Sequence, residues 1–145
     1  MEPIGILEWQ EEYELGIEEI DREHKEIINV LNEIYVTINE GKQVEDKMPK
    51  LLEAFDFYAT KHTQMEESYA EKYDFPKTEE LKESHNFFKT TYNQLRQYYY
   101  ERSDISQPEI QKILHLHSLM SKWLRVHLRT LDKELCDFLK EKIKE

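Results

Sequence analysis

The chain has 145 residues and a net charge of −11, from 31 acidic and 20 basic residues. That length suits one domain with its own core. An acidic chain without clustered lysine and arginine argues against a nucleic-acid partner and against an anionic membrane surface. No apolar run is long enough for a membrane span, and the first residues lack the features of a signal peptide, so we expect a cytoplasmic protein.

Four segments carry apolar residues at helical spacing, with only three glycines and four prolines in the chain. They predict an N-terminal arm over residues 1–18 and helices over about 19–40, 44–73, 77–102 and 107–142. Gly41 suits the position just after the first helix, and Asp74-Phe75-Pro76 ends the second. Ser106 and Glu109 form a capping box at the start of the fourth helix.

Short connections make consecutive helices antiparallel neighbours. The predicted fold is therefore all-α: a single domain over residues 1–145, built as an up-down-up-down antiparallel four-helix bundle with an N-terminal arm. We expect three arm side chains to pack across the bundle, namely Trp9, Tyr13 and Ile17. The lone cysteine, Cys136, cannot form an internal disulfide, and its helical spacing predicts a packing residue.

Each predicted helix places a histidine on its apolar face. The four are His24, His62, His85 and His127. One inward histidine is more often an ordinary core residue, but one on every helix favours a metal site. Glu66 lies four residues after His62 and shares its helix face. A buried carboxylate needs a compensating positive charge, which a metal cation supplies directly.

Two observations on the carboxylates leave alternatives open. Glu66 could instead form an internal ion pair, for which the available partners are Lys61, Lys89 and Arg125. Asp132 follows His127 by five residues, which is about 500° around an ideal helix. Asp132 therefore reaches the centre of the bundle only by leaning back along its helix, or if the helix is locally distorted.

These features resemble the bacterial hemerythrins over nearly the whole chain. The opening pattern W-x(6)-G-I-x-x-I-D-x-E-H runs from Trp9 to His24. The helix-two pattern H-x-x-x-E is His62 to Glu66. The helix-four pattern W-L-x-x-H-x-x-x-x-D-K runs from Trp123 to Lys133.

The resemblance implies two iron ions joined by an oxo or hydroxo group, with one open position where O2 binds. It implies His24 and His62 on one iron, and His85 and His127 on the other. Glu66 and Asp132 would bridge the two. The ligand types suit iron, although manganese or zinc could use similar ligands.

Helix three departs from the family pattern H-x-x-x-H around His85. We prefer the register in which Leu81 replaces the first histidine, because the family places that histidine about fifteen residues after Glu66. In the other register, Lys89 takes the missing place.

The missing histidine predicts that the second iron gains an exchangeable water, recruits a tyrosine such as Tyr58 or Tyr92, or binds weakly. His115 and His117 lie about three helical turns before His127. That is too far for either to replace the missing ligand, so we expect both at the surface or just outside the ligand shell.

The resemblance implies a non-haem diiron protein that binds O2, or another small diatomic molecule or peroxide, for storage, delivery or sensing. We favour a binding protein over an enzyme. The incomplete histidine set keeps one alternative open: a diiron peroxidase, oxidase or nitric-oxide-scavenging enzyme. A metal-free structural bundle is a third interpretation. The sequence is compatible with a monomer but does not determine the oligomeric state.

Overall fold

The computed structural model describes the backbone of residues 5–101 and 107–143, and the side chains of these residues except 107–109. A short 3-10 turn over Glu11–Tyr13 precedes five helices. They are α1 (Glu18–Glu40), α2 (Val44–Lys72), α3 (Thr78–Glu101), α4 (Gln107–Arg129) and α5 (Leu131–Ile143). Both α1 and α3 pack against α2 and α4. The predicted all-α four-helix bundle is confirmed, with α4 and α5 together in the fourth position.

Two predicted helix ends are confirmed by their backbone geometry. Gly41 has a φ of +68° and donates its N–H to Thr37 O at 3.0 Å, which closes α1. After α2, Asp74 has a φ of +57° and Phe75 donates its N–H to Ala70 O at 2.8 Å. The capping box predicted for Ser106 and Glu109 lies outside the groups that the structure describes. No helix within the described ranges is long and apolar enough to cross a membrane.

The predicted single helix over residues 107–142 is wrong, because Thr130 interrupts it. The Thr130 hydroxyl donates to Val126 O at 2.8 Å, one turn back along the helix. Its N–H is shared between Val126 O at 3.1 Å and His127 O at 3.3 Å. Back-bonding by threonine bends helices, and a shared N–H marks a tightened last turn. Neither glycine nor proline stands at the break, so the sequence carries no strong signal for it.

The N-terminal arm is fixed to the bundle through the start of α1. The Asp21 carboxylate accepts the N–H of Leu15 at 2.9 Å and that of Gly16 at 3.1 Å. Gly16 has a φ of +92°, a conformation that glycine adopts without steric cost. The three arm residues predicted to pack on the bundle do so: Trp9, Tyr13 and Ile17.

The buried apolar side chains form two clusters. The larger, here called the first apolar cluster, includes Ile27, Leu31, Phe55, Phe88 and Leu124. The second apolar cluster comprises Leu15, Ile20, Ala70, Phe75, Leu81, Leu135, Cys136 and Leu139. On α1, His24 lies between Ile20 of the second cluster and Ile27 of the first. Along α2, along α3 and along α4 with α5, buried polar residues likewise lie between members of the two clusters, so a polar layer separates them.

His117 was expected at the surface or just outside the ligand shell, and this is wrong, because it lies in the core, away from that polar layer. The side chain is fully buried, and its Nε2–H donates to Leu31 O at 2.7 Å. The Tyr35 ring packs against it with 5.6 Å between ring centroids. Burial lowers the pKa of His117 below its ordinary value of 6.5. His115, by contrast, is exposed at the surface, as predicted.

We expect His117 to make the fold less stable in acid. Below about pH 6.5 the unfolded chain binds a proton that the folded chain resists, so this part of the free energy of unfolding falls as the pH falls. Urea unfolding of wild type and His117→Phe, both with chelator present, measures it. As the pH falls from about 8 to about 5, the free energy of unfolding of wild type should decrease relative to that of His117→Phe. A difference that stays constant across that range would contradict the assignment.

Candidate metal centre

All six side chains predicted as metal ligands meet in the polar layer. They form two groups of four that share two carboxylates. The first half-site contains His24 and His62, the second contains His85 and His127, and both include Glu66 and Asp132. Within each group the candidate ligand atoms all lie within 4.8 Å of one another. Every one of the six residues is 5% exposed or less.

Six polar atoms of this layer lie close together without pairing as hydrogen bonds. Three contacts show this: His62 Nε2 to Glu66 Oε2 at 3.0 Å, His24 Nε2 to Asp132 Oδ2 at 3.0 Å, and His127 Nε2 to Asp132 Oδ1 at 2.8 Å. None of these nitrogens and oxygens has a hydrogen-bond partner among the described residues. Buried polar atoms left unpaired are costly and uncommon. A cation between them would satisfy all six atoms, so the donor set fits a metal.

The break at Thr130 explains how Asp132 enters this layer. Five residues along an unbroken helix would place Asp132 well away from the face that carries His127. Between α4 and α5 the helical path changes, and Asp132 Oδ1 comes within 2.8 Å of His127 Nε2. Of the two routes left open for Asp132, the structure shows the local distortion of the helix.

The ion-pair alternative for Glu66 is not supported. Lys61 is largely exposed, and its Nζ lies 3.6 Å from Glu23 Oε2 instead. Across residues 5–101 and 110–143, no lysine or arginine lies within 4.0 Å of the Glu66 carboxylate, whose close charged contacts are all histidines. The positive charge that this carboxylate needs therefore comes from imidazolium groups or from bound metal.

The electrostatics of the layer show what balances the carboxylates when no metal is bound. Burial alone would raise the pKa of Glu66, but His62 and the other histidines hold it well below its usual value. Burial lowers the pKa of His62, yet Glu66 and Glu23 outweigh it and raise that pKa to about 10. Asp132 and Glu66 likewise raise the pKa of His127 to about 9 against burial. Protons on these two histidines therefore balance the carboxylates, and a bound metal would displace them.

Three of the four histidines also have a partner on the outward-facing ring nitrogen. These outer partners are Glu23 for His62 (Nδ1 to Oε1, 3.1 Å), Glu67 for His85 (Nδ1 to Oε2, 2.7 Å) and Ser84 for His127 (Nδ1 to Oγ, 2.9 Å). Such bonds fix the ring orientation and aim Nε2 at the centre. The sequence does not indicate these three partners, because each stands next to a ligand in sequence, and adjacent helical residues do not share a face.

Leu81 is fully buried in the second apolar cluster, one turn before His85 on α3. Within the described residues, neither of the two tyrosines suggested as substitutes is seen to take its place. Tyr92 donates its hydroxyl to Leu52 O at 2.7 Å, and Tyr58 packs edge-on against Phe57. The register in which Lys89 replaces the missing histidine is not supported either, since Lys89 lines a surface cleft with Phe55 and Tyr92 rather than the polar layer.

Sequence comparison gives the family. The sequence model of the Hemerythrin HHE cation binding domain matches residues 15–139. The chain belongs to the hemerythrin family. It is also similar to a bacteriohemerythrin of Clostridium acetobutylicum, with 31% identity over 71 residues. That alignment covers 48% of this chain and 55% of the relative. The resemblance found from the sequence motifs is confirmed at the level of the family.

We expect removal of the Thr130 hydroxyl to weaken metal binding more than it weakens the fold. In Thr130→Val the hydrogen bond to Val126 O is lost, and a straighter helix would draw Asp132 away from His127. The affinity for Zn2+ should fall about tenfold or more, comparable to the loss of a ligand's outer partner. The free energy of unfolding should change by less than about 1 kcal/mol, because Thr130 is exposed. Isothermal titration calorimetry and urea unfolding measure the two effects.

Thr91→Val is the matched control. The Thr91 hydroxyl makes the same kind of bond, to Phe87 O at 3.0 Å, but in the unbroken helix α3. Its loss should leave Zn2+ affinity unchanged. Equal effects of the two variants on Zn2+ affinity would show that the break does not position Asp132.

Proposed function

We propose that this member of the hemerythrin family holds two iron ions in its polar layer and binds O2, or another small diatomic molecule, at that centre. The observation that carries the proposal is the convergence of two groups of ligands on two shared carboxylates, with buried atoms that no hydrogen bond satisfies. Imidazole and carboxylate are suitable ligands for iron in both of its common oxidation states.

The ligands divide between the two ions. His24 and His62 would bind one ion, and His85 and His127 would bind the other. Glu66 and Asp132 would bridge the pair, together with an oxo or hydroxo group. Two irons linked in this way supply two one-electron changes, which is the redox capacity that reversible O2 binding needs.

The protein also controls what reaches the centre. The first and second apolar clusters enclose the polar layer on two sides, and the Trp123 ring stacks on His127 at 4.3 Å and 17°. An apolar enclosure limits the access of water and protons. Limited proton access favours release of unchanged O2 over its reduction, which supports a binding protein.

The equal ligand count of the two half-sites favours a second candidate function. Each contains only two imidazoles, and Leu81 stands where the family pattern has a histidine. Two ions with incomplete protein ligation can both take exogenous ligands. That arrangement would suit turnover of peroxide or nitric oxide with an external reductant.

The test is anaerobic reconstitution with Fe2+, followed by metal analysis and visible spectroscopy. We expect about two irons per chain, a nearly colourless reduced form, colour on exposure to O2, and return to the colourless form under argon. Glu66→Gln should hold at most about one iron, because a bridging ligand is lost. The exposed Glu71→Gln, on the same helix, should match wild type.

Three outcomes would contradict the proposal. Absence of iron from wild type would contradict the proposed metal centre. Two irons bound by Glu66→Gln would contradict the bridging role of Glu66. Rapid irreversible oxidation with consumption of peroxide would contradict O2 carriage and support the enzyme.

A further inference from the structure

The outer partners follow the order of the helices around the bundle. Each one is the sequence neighbour of a ligand on its own helix, and each bonds to the histidine of the next helix. Glu23 adjoins His24 on α1 and reaches α2, Glu67 adjoins Glu66 on α2 and reaches α3, and Ser84 adjoins His85 on α3 and reaches α4. On each of these helices, therefore, one residue faces the metal centre and the residue beside it orients the histidine of the next helix.

The fourth contact of this series, from a residue on α4 to the histidine of α1, is not formed. The residues beside His127 are Val126 and Leu128, which cannot accept a hydrogen bond through their side chains. His24 Nδ1 is correspondingly buried with no hydrogen-bond partner within the described part of the chain. The first half-site thus has one anchored imidazole, on His62, whereas the second half-site has both imidazoles anchored.

The strongest of these anchors lies in the second half-site. Glu66 and Glu67 are consecutive on α2 and hold the two nitrogens of His85, with Nε2 3.0 Å from Glu66 Oε1 and Nδ1 2.7 Å from Glu67 Oε2. Short bonds from a ring nitrogen to a carboxylate are charge-assisted and strong. The bond from Nδ1 to Glu67 also raises the basicity of the imidazole, whose Nε2 is the atom left to bind a metal. By comparison, the carboxylate of Glu23 is 3.1 Å from His62 and also lies 3.6 Å from Lys61.

We propose that Glu67 and Ser84 are positioning residues that make the second half-site the tighter of the two metal sites, although Leu81 provides no third imidazole there. This inference rests on the proposed metal centre. It argues against one of the three outcomes expected from the missing histidine, namely weak binding of the ion on this side. Anchoring of both rings compensates for the lost ligand, because the remaining two imidazoles need no reordering when the ion binds.

Co2+ titration of the metal-free full chain, followed by visible absorption with a competing chelator, tests the order of filling. We expect two binding steps in wild type. His85→Asn should remove the tighter step, and His24→Asn the weaker one. Glu67→Gln should weaken the tighter step by about 10- to 100-fold, and Ser84→Ala should weaken the same step by less. Glu23→Gln should act on the weaker step.

Glu71→Gln is the control for charge alone. Glu71 is an exposed carboxylate one turn further along α2, paired with Lys82. Its substitution removes the same charge from the same helix and should leave both steps within about twofold of wild type.

Proton NMR of the Zn2+-loaded protein gives a second readout that does not depend on binding constants. The Nδ1 proton of His85 should resonate far downfield in wild type and in Glu71→Gln, and should move upfield in Glu67→Gln. If Glu67 only stabilised the fold, the Nδ1 proton of His85 would resonate at the same position in Glu67→Gln as in wild type.

The inference is overturned if His24→Asn removes the tighter step, or if Glu67→Gln matches Glu71→Gln in both the titration and the NMR spectrum. Should a histidine variant fail to fold, the conservative Glu67 and Glu71 variants still decide the question. Absence of Co2+ binding in wild type would instead contradict the proposed metal centre itself.

Discussion

The structure depends on two carboxylates that are buried between apolar clusters. Glu66 and Asp132 have no exposed surface, and a carboxylate in such surroundings persists only with positive charge nearby. All helices of the bundle contribute to meeting that demand. Helices α1 to α4 each place a histidine at the same level, and the raised pKa values of His62 and His127 favour protonated imidazoles beside the carboxylates when no metal is bound. Polar atoms that are close but not hydrogen-bonded to one another indicate that protons alone do not satisfy the layer.

The helices position the layer by ordinary means, with one exception. Their apolar faces pack into a bundle, and the Asp21 carboxylate holds the arm against the start of α1, near His24. The exception is the break at Thr130, because a regular helix would turn Asp132 away from His127. The bundle therefore carries a local irregularity at the point where the site needs a second shared carboxylate, which is where departures from regular structure are expected in a functional protein.

Much of this could be predicted from the sequence. Helical periodicity predicts the bundle, and the i to i+4 spacing of His62 and Glu66 predicts that they act together. The role of Asp132 came only from family resemblance, because periodicity places it off the face. The break was not predicted as a helix end, since Thr130 is not a strong breaker. The outer partners were not predicted either, because each bonds across to another helix, and contacts between helices depend on tertiary packing that spacing along one helix does not encode.

The most direct test of the central claim is crystallography of the aerobically purified, iron-loaded chain, with anomalous data collected on both sides of the iron absorption edge. The account predicts two anomalous peaks within the polar layer, each between one pair of histidines and both in contact with Glu66 and Asp132. An empty layer, with the histidines and carboxylates rearranged into ordinary hydrogen-bonded pairs, would contradict it.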